Sequence, residues 1–230
     1  MPSGEQAPAF RRRLPWPIEG KPGVLPRGEP CSLAIYDVLV HGLSNRFAWR
    51  CPTRRLVELY RENLAPDHLE AGVGTGLLLD RAATPKLKRL VLLDANRNCL
   101  DRAGARIARF KPELHQVNLL APLVLRTAPV ASVGLTYVLH CLPGRMDEKL
   151  KAIDHLRPLM RDGATLFGAT ILGRGVAPNR AASALSDLYN AKGVFNNRAD
   201  DLESLSDGLR RRFANVAIAQ EGCVAIFRAS

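Results

Sequence analysis

Lysine, aromatic rings and long apolar runs are all scarce in this sequence. Only seven of its 33 basic residues are Lys (21, 86, 88, 111, 149, 151 and 192), and aromatics make up 6% of the 230 residues. The net charge of +11 is therefore carried by scattered Arg, with Arg11–Arg13 and Arg210–Arg212 as short runs. A nucleic-acid footprint is a clustered one, so the charge reads first as a solvated surface, with steering of an acidic ligand as its best use. The five Cys (Cys31, Cys51, Cys99, Cys141 and Cys223) are odd in number and none pair as C-x-x-C. That excludes a disulfide framework and points to reduced thiols. No His or Cys group has zinc-ligand spacing, and no metal is expected. Thr127–Gly144 is the one long uncharged run, and Pro129, Gly134 and Pro143 interrupt it. A buried strand with its loop explains it better than a membrane span. The first thirty residues hold no apolar stretch of the kind a secretory signal needs. The expectation is a cytoplasmic protein that engages no membrane, as a monomer or homodimer.

What is present is enough for one core: 47% apolar residues over 230 positions. Residues 1–30 carry seven Pro and four Gly, a density that marks an arm rather than a packed element. From Cys31 onward the chain reads as a single domain, 31–230. Thr53–Asn63 has helical spacing, with Leu56, Leu59 and Tyr60 on one face. Short apolar runs then alternate with helical stretches. The strands fall at His68–Gly72, Arg89–Ala95, Glu113–Asn118, Ser132–Leu139 and Ala164–Leu172. Between them the helices are Gly76–Ala83, Asn96–Phe110 and Met146–Met160, the last stopped by the turn Arg161-Asp162-Gly163. This alternation predicts an α/β fold with a mostly parallel sheet and helices on both faces. Helices around Ala181–Lys192 and Asp200–Phe213 precede two strands, Asn215–Glu221 and Cys223–Arg228. Gly222 joins those two, and so short a connection makes the pair antiparallel.

The densest chemistry lies at Glu70-Ala71-Gly72-Val73-Gly74-Thr75-Gly76, where the first strand gives way to the first helix. Glycines there allow a tight turn and close approach of a ligand to the backbone. Asp94 ends the second strand, placed to accept hydrogen bonds from ribose hydroxyls; by itself it also suits a helix N-cap. A dinucleotide site wants G-x-G-x-x-G, but Leu77 stands where its third Gly belongs. Glu70 also sits poorly beside a pyrophosphate and well beside an ammonium group. A cofactor with a ribose and an amino-acid tail but no phosphates satisfies both ends, and S-adenosyl-L-methionine (SAM) is that molecule.

E-A-G-V-G-T-G followed by L-L-D resembles the first two motifs of the class I SAM-dependent methyltransferases, and the likeness runs from about Tyr36 to the end. It implies a seven-stranded, Rossmann-like sheet closed by the antiparallel hairpin. The resemblance places Glu70 at the methionine end of SAM, and Gly72, Gly74 and Gly76 under the cofactor. Asp94 goes to the ribose, Ala95 beside it to the cofactor, Asn118 and the Leu119 N–H to the adenine, and Tyr137 to the fourth-strand exit. Asn118 stands where the family often has Asp, and a plain turn residue is its other reading. Tyr36-Asp37, Ser44–Pro52, Leu142-Pro143-Gly144 and Tyr189-Asn190 resemble a group of small microbial methyltransferases. Methyl transfer from a sulfonium is an in-line displacement that rests on positioning, with a base needed only for a protonated nucleophile. His140 is the candidate base and Asp37 a remoter one, while a satisfied structural His is the alternative for His140. Tyr36 covers the methionine end or is a core aromatic; Trp49 lines the pocket or anchors the core. Residues 31–63 and 173–198 would cover the acceptor, with Trp49, Tyr189 and Phe195 giving apolar surface for a small, partly apolar or aromatic metabolite.

Three other readings compete. A nucleic-acid methyltransferase draws on the charge, but Thr136-Tyr137-Val138-Leu139 stands where base-amine enzymes usually carry an N-P-P-Y-like motif. A catalytically silent SAM-fold binding protein would have no affinity for SAM. A nicotinamide dehydrogenase would need the glycine pattern that is missing.

Overall fold

The structure is a computed structural model that describes residues 44–230. Tyr36, Asp37, Cys31 and the arm expected over 1–30 lie outside the described residues.

The first helix, α1 (Thr53–Asn63), forms where helical spacing puts Leu56, Val57, Leu59 and Tyr60 on one buried stripe. Two β–α units and two further strands follow: β1 (Asp67–Ala71), α2 (Leu77–Ala82), β2 (Arg89–Asp94), α3 (Arg97–Arg106), β3 (Glu113–Gln116) and β4 (Val130–Thr136). Next come α4 (Met146–Lys149), α5 (Lys151–Leu156), β5 (Met160–Ile171), α6 (Arg180–Ala191), α7 (Leu202–Arg210), β6 (Val216–Glu221) and β7 (Val224–Ala229). The strands form one seven-stranded sheet in the order β3-β2-β1-β4-β5-β7-β6. β1 to β5 run parallel, and β7 lies antiparallel against both β5 and β6. The expected architecture is the observed one.

Pleating explains the two cores. Leu90 and Leu92 of β2 join Leu56, Tyr60, Leu79 and Phe167 on one face of the sheet. Val91 and Leu93 join Leu150, Ile153, Leu166 and Phe227 on the other. Both faces are covered, so the central strands read as unbroken apolar runs. The register aligns the carboxyl ends: Glu70 pairs with Leu92 on one side and Gly134 on the other.

Some expected elements differ: the fourth strand, expected over Ser132–Leu139, ends at Thr136, and a 3₁₀ turn follows at Leu139–Cys141. The single helix over Met146–Met160 is instead α4, α5 and a 3₁₀ turn at Arg157–Leu159 that carries Pro158. β5 begins at Met160, which pairs with Val130, and regular pairing resumes at Thr165 opposite Ser132. Arg161-Asp162-Gly163 does not end a helix. It forms a bulge within the strand, where Gly163 takes φ +72°. The turn residues were there; the sheet absorbed them. The third strand likewise stops at Gln116, two residues short of Asn118.

The closing hairpin turns at Gly222, φ +60°, where an added Cβ would overlap the Trp49 carbonyl. That carbonyl accepts the Cys223 N–H at 2.9 Å. The four described cysteines are free thiols. Several Arg pair with acids on neighbouring elements, Arg89 with Asp67, Arg109 with Asp80 and Arg212 with Asp154. No described helix is long and apolar enough to cross a membrane.

Candidate active site

The carboxyl edge of the sheet collects the residues the sequence singled out, strung along four strand exits. In sheet order these are Asn118 after β3, Asp94 at the end of β2, Glu70 in β1 and Tyr137 after β4. A cavity of ≈ 100 Å³ opens at the middle of this edge, lined by Glu70, the turn Gly72–Gly76, Leu77–Leu79, Tyr60, Thr136 and Tyr137.

The turn is shaped by its glycines. Gly72, Gly74 and Gly76 all take positive φ (+74°, +55° and +73°), a region that costs an L-residue roughly 1–2 kcal/mol. Their surroundings differ. A Cβ on Gly72 would overlap Val138, one on Gly76 would press on Ala103 of α3, and one on Gly74 would touch nothing. Gly74 N–H donates to Asp94 Oδ2 at 3.1 Å, and Asn96 N–H to Oδ1 at 2.8 Å. Burial pushes the Asp94 carboxyl up from its usual range, and these N–H groups hold it back. Its bond to Gly74 ties the β2 exit to the β1 turn. Asn96 caps α3 in its place, accepting from Asn98 N–H.

Glu70 is 3% exposed. Its Oε1 accepts from the Tyr60 hydroxyl at 2.6 Å, and Oε2 lies 3.1 Å from His68 Nε2. Thr136, at the end of β4, is buried on the cavity wall with its hydroxyl next to that of Tyr60.

Asp94, Ala95, Asn118 and Leu119 lie outside the cavity. Ala95 is exposed beside Asp94. Asn118 Oδ1 accepts the Leu120 N–H at 3.0 Å, the geometry of a turn, which leaves its amide nitrogen and one lone pair. Leu119 is buried and its carbonyl accepts from His155 Nδ1 at 2.9 Å.

The other side of the cavity is built from rings. Tyr137 takes φ +62°, donates its N–H to the Ala169 carbonyl, and donates its hydroxyl to Asn45 Oδ1 at 3.0 Å. A file of rings leads away from it. Tyr137 to His140 is 5.6 Å between centroids, His140 to Phe195 4.5 Å, Phe195 to Tyr189 4.9 Å and Phe195 to Trp49 5.8 Å. Trp49 also lines a second cavity of ≈ 240 Å³ with Leu172, Gly173, Ala182, Ser186 and Arg198. Tyr189 and Phe195 pack in the ring file and do not line that space.

His140 is enclosed, 3% exposed. Its Nδ1 accepts the Ile171 N–H at 3.3 Å, so the neutral ring keeps its hydrogen on Nε2. Burial, with the Lys149 charge behind it, pulls its pKa down to about 3. The ring is held by the fold, and its one lone pair is already engaged.

Sequence reasoning missed the residues that hold this side together. Lys149 Nζ, fully buried, donates to both Asp200 oxygens at 2.6 and 2.8 Å and to the Asn196 carbonyl at 2.5 Å. Asn197 donates to the Ile171 carbonyl and accepts from Asn190. Nothing in local spacing announces partners fifty residues apart. His68 was legible in principle: it stands two before Glu70 in a strand, hence on the same face.

No family model matches the chain. It is 36% identical over 198 residues to demethylluteothin O-methyltransferase of Streptomyces thioluteus, covering 86% of each protein. It is 34% identical over 202 residues to the physcion biosynthesis cluster O-methyltransferase of Aspergillus chevalieri, covering 87% of this chain and 91% of that one. Among solved structures it resembles an O-methyltransferase family protein from Burkholderia thailandensis at 18% identity and TM-score 0.63. That likeness, one of fold, covers 86% of this chain and spans 59% of the solved one.

Proposed function

This chain belongs to the SAM-dependent methyltransferases, and on that premise we propose that it methylates a hydroxyl oxygen of a small aromatic or polyketide metabolite in secondary metabolism. The observation that carries the reading is Glu70 and Asp94 standing on either side of the left-handed glycine turn. The named O-methyltransferase relatives, matched over most of their length, supply the atom and the acceptor class.

The residues present fit SAM. A buried carboxylate with open lone pairs suits its ammonium group, the glycine turn, where a Cβ on Gly72 would collide with Val138, admits its backbone-hugging tail, and the Thr136 hydroxyl offers a polar contact in the same cavity. When bound, the cofactor supplies a methyl group on a sulfonium, already a good leaving group. Glu70 faces the α-ammonium and Gly72–Gly76 form the floor. Asp94, with Ala95 beside it, accepts from the ribose hydroxyls. Asn118, through its free amide and remaining lone pair, and the Leu119 N–H address the adenine. Tyr137 walls the methionine end. Residues 173–198 and the segment from Ser44 onward cover the acceptor, with Trp49, Tyr189 and Phe195 giving apolar surface. Such a site acts by holding the acceptor oxygen in line with the methyl and shutting out water. Of the two catalytic candidates, Tyr36 lies outside the described residues, and His140 braces the β4 exit, its lone pair committed to Ile171.

The experiment is transfer from labelled SAM to a panel of phenolic and enolic acceptors, with RNA as a parallel arm. Label should appear on a hydroxyl oxygen. Asp94→Ala should weaken SAM binding by about tenfold or more, the scale of a lost charge-assisted hydrogen bond. Label on RNA alone, or no SAM affinity in the unaltered protein, would overturn the proposal.

A further inference from the structure

Four buried side chains are linked end to end, from Tyr60 and Glu70 on the cavity wall to His68 and Ser132 behind it. Glu70 Oε1 accepts from Tyr60, and Oε2 lies 3.1 Å from His68 Nε2. His68 Nδ1 is 2.8 Å from Ser132 Oγ, and the same Oγ accepts the Ala65 N–H at 3.0 Å. A carboxylate oxygen only accepts, so Nε2 carries hydrogen. In the neutral ring the lone pair is then on Nδ1, where the Ser132 hydroxyl donates. Donor and acceptor alternate along the chain with no atom in conflict.

Packing fixes both donors to Glu70. The Phe167 ring lies edge-on to Tyr60, 5.0 Å between centroids, and stacked on His68 at 5.6 Å. Tyr60, His68 and Ser132 are all buried. Gly134, the β4 residue paired with Glu70, leaves the room: a Cβ there would overlap the carboxylate. Thus α1, β1, β4 and β5 all converge on one carboxylate. A buried carboxylate without donors is costly to desolvate and free to rotate. Two charge-assisted bonds on fixed rings remove both problems.

We infer that Tyr60 and His68 are positioning residues for recognition of the amino-acid end of the methyl donor. They hold the Glu70 carboxylate at one place and one angle, so that end is read by a network reaching Ser132. The inference rests on the assignment of Glu70 to the α-ammonium made above.

The test compares two ligands by calorimetry on the full chain. S-Adenosylhomocysteine has the amino-acid tail; 5′-methylthioadenosine keeps the nucleoside and sulfur but lacks it. Tyr60→Phe preserves the ring on Phe167 and should cost about tenfold in affinity for the first and less than about twofold for the second. Glu70→Gln should show the same selectivity with a larger loss, and Ser132→Ala a smaller one. Should Tyr60→Phe fail to fold, judged by thermal denaturation, His68→Asn carries the same comparison. Equal weakening of both ligands would mean a scaffold role and overturn the inference. So would an effect of Glu70→Gln with none from Tyr60→Phe, which leaves the Glu70 assignment standing. No effect of Glu70→Gln on either ligand would remove that assignment and the inference with it.

Discussion

The two sides of the carboxyl edge are held in shape by different means. On the β1–β2 side the backbone shapes the turn and the Asp94 exit, although the Glu70 carboxylate is itself held by Tyr60 and His68. Three left-handed glycines set the turn, and Asp94 is pinned by main-chain N–H groups. On the β4–β5 side distant side chains do it. The Lys149–Asp200 pair, the Asn197–Ile171 contact and the ring file from Tyr137 to Trp49 tie the 173–201 region to the sheet. A backbone-built site binds one ligand shape wherever the motif occurs. A site assembled from side chains can be rebuilt one residue at a time, which suits the half we propose for the acceptor.

The largest test of that contrast is Lys149→Met. It strands the Asp200 carboxylate in the interior, and removing one partner of a buried pair costs roughly 3–5 kcal/mol. Denaturant unfolding should show that loss, while the folded fraction still binds S-adenosylhomocysteine. An unchanged midpoint would break the comparison.

Next in size is the pair Gly72→Ala and Gly74→Ala. Both pay about 1–2 kcal/mol for left-handed φ, but only the first also collides with Val138. Thermal denaturation should rank Gly72→Ala clearly below Gly74→Ala. Equal losses would mean that φ alone shapes the turn.

The smallest effect is expected at His140. A general base contributes at least about a hundredfold to rate, whereas His140→Asn, which keeps an acceptor near Nδ1, should cost less than about tenfold in kcat. Stability supplies the second reading. The unfolded ring binds a proton below its ordinary pKa of 6.5, the folded ring only near 3. Its contribution is therefore complete above pH 6.5 and is lost as the pH falls from there toward 3. Melting temperatures of the unaltered protein should fall over that window, and His140→Asn should flatten the slope. A hundredfold rate loss with an unaltered slope would restore the base.

The same contrast explains what could be read in the chain. Glu70–Gly76 and Asp94 declare themselves because glycine and a strand-ending acid act through the adjoining backbone. The α1 boundaries, Thr53 and Asn63, follow from apolar spacing and Pro52, again local. Lys149 looked like one more surface charge on a helix, since its partner lies in a loop beyond β5 and α6. Thr136 and Gly134 read as ordinary strand residues; what they do depends on the cavity beside Thr136 and on the Glu70 carboxylate that Gly134 makes room for. The Met146–Met160 helix was overextended because the Val130–Met160 pairing that claims its last residue is a contact between strands. Local chemistry was legible, and long-range pairing was not.

The bond between the Trp49 carbonyl and the Cys223 N–H sets an order of events. It joins the first and last parts of the described chain, and closing so long a loop is deferred until nearer contacts have formed. The β6–β7 hairpin must exist, with Gly222 turned under it, before the segment at Trp49 has anything to dock on. The segment at Trp49, unlike the glycine turn, therefore depends on a contact made between the two ends of the described chain.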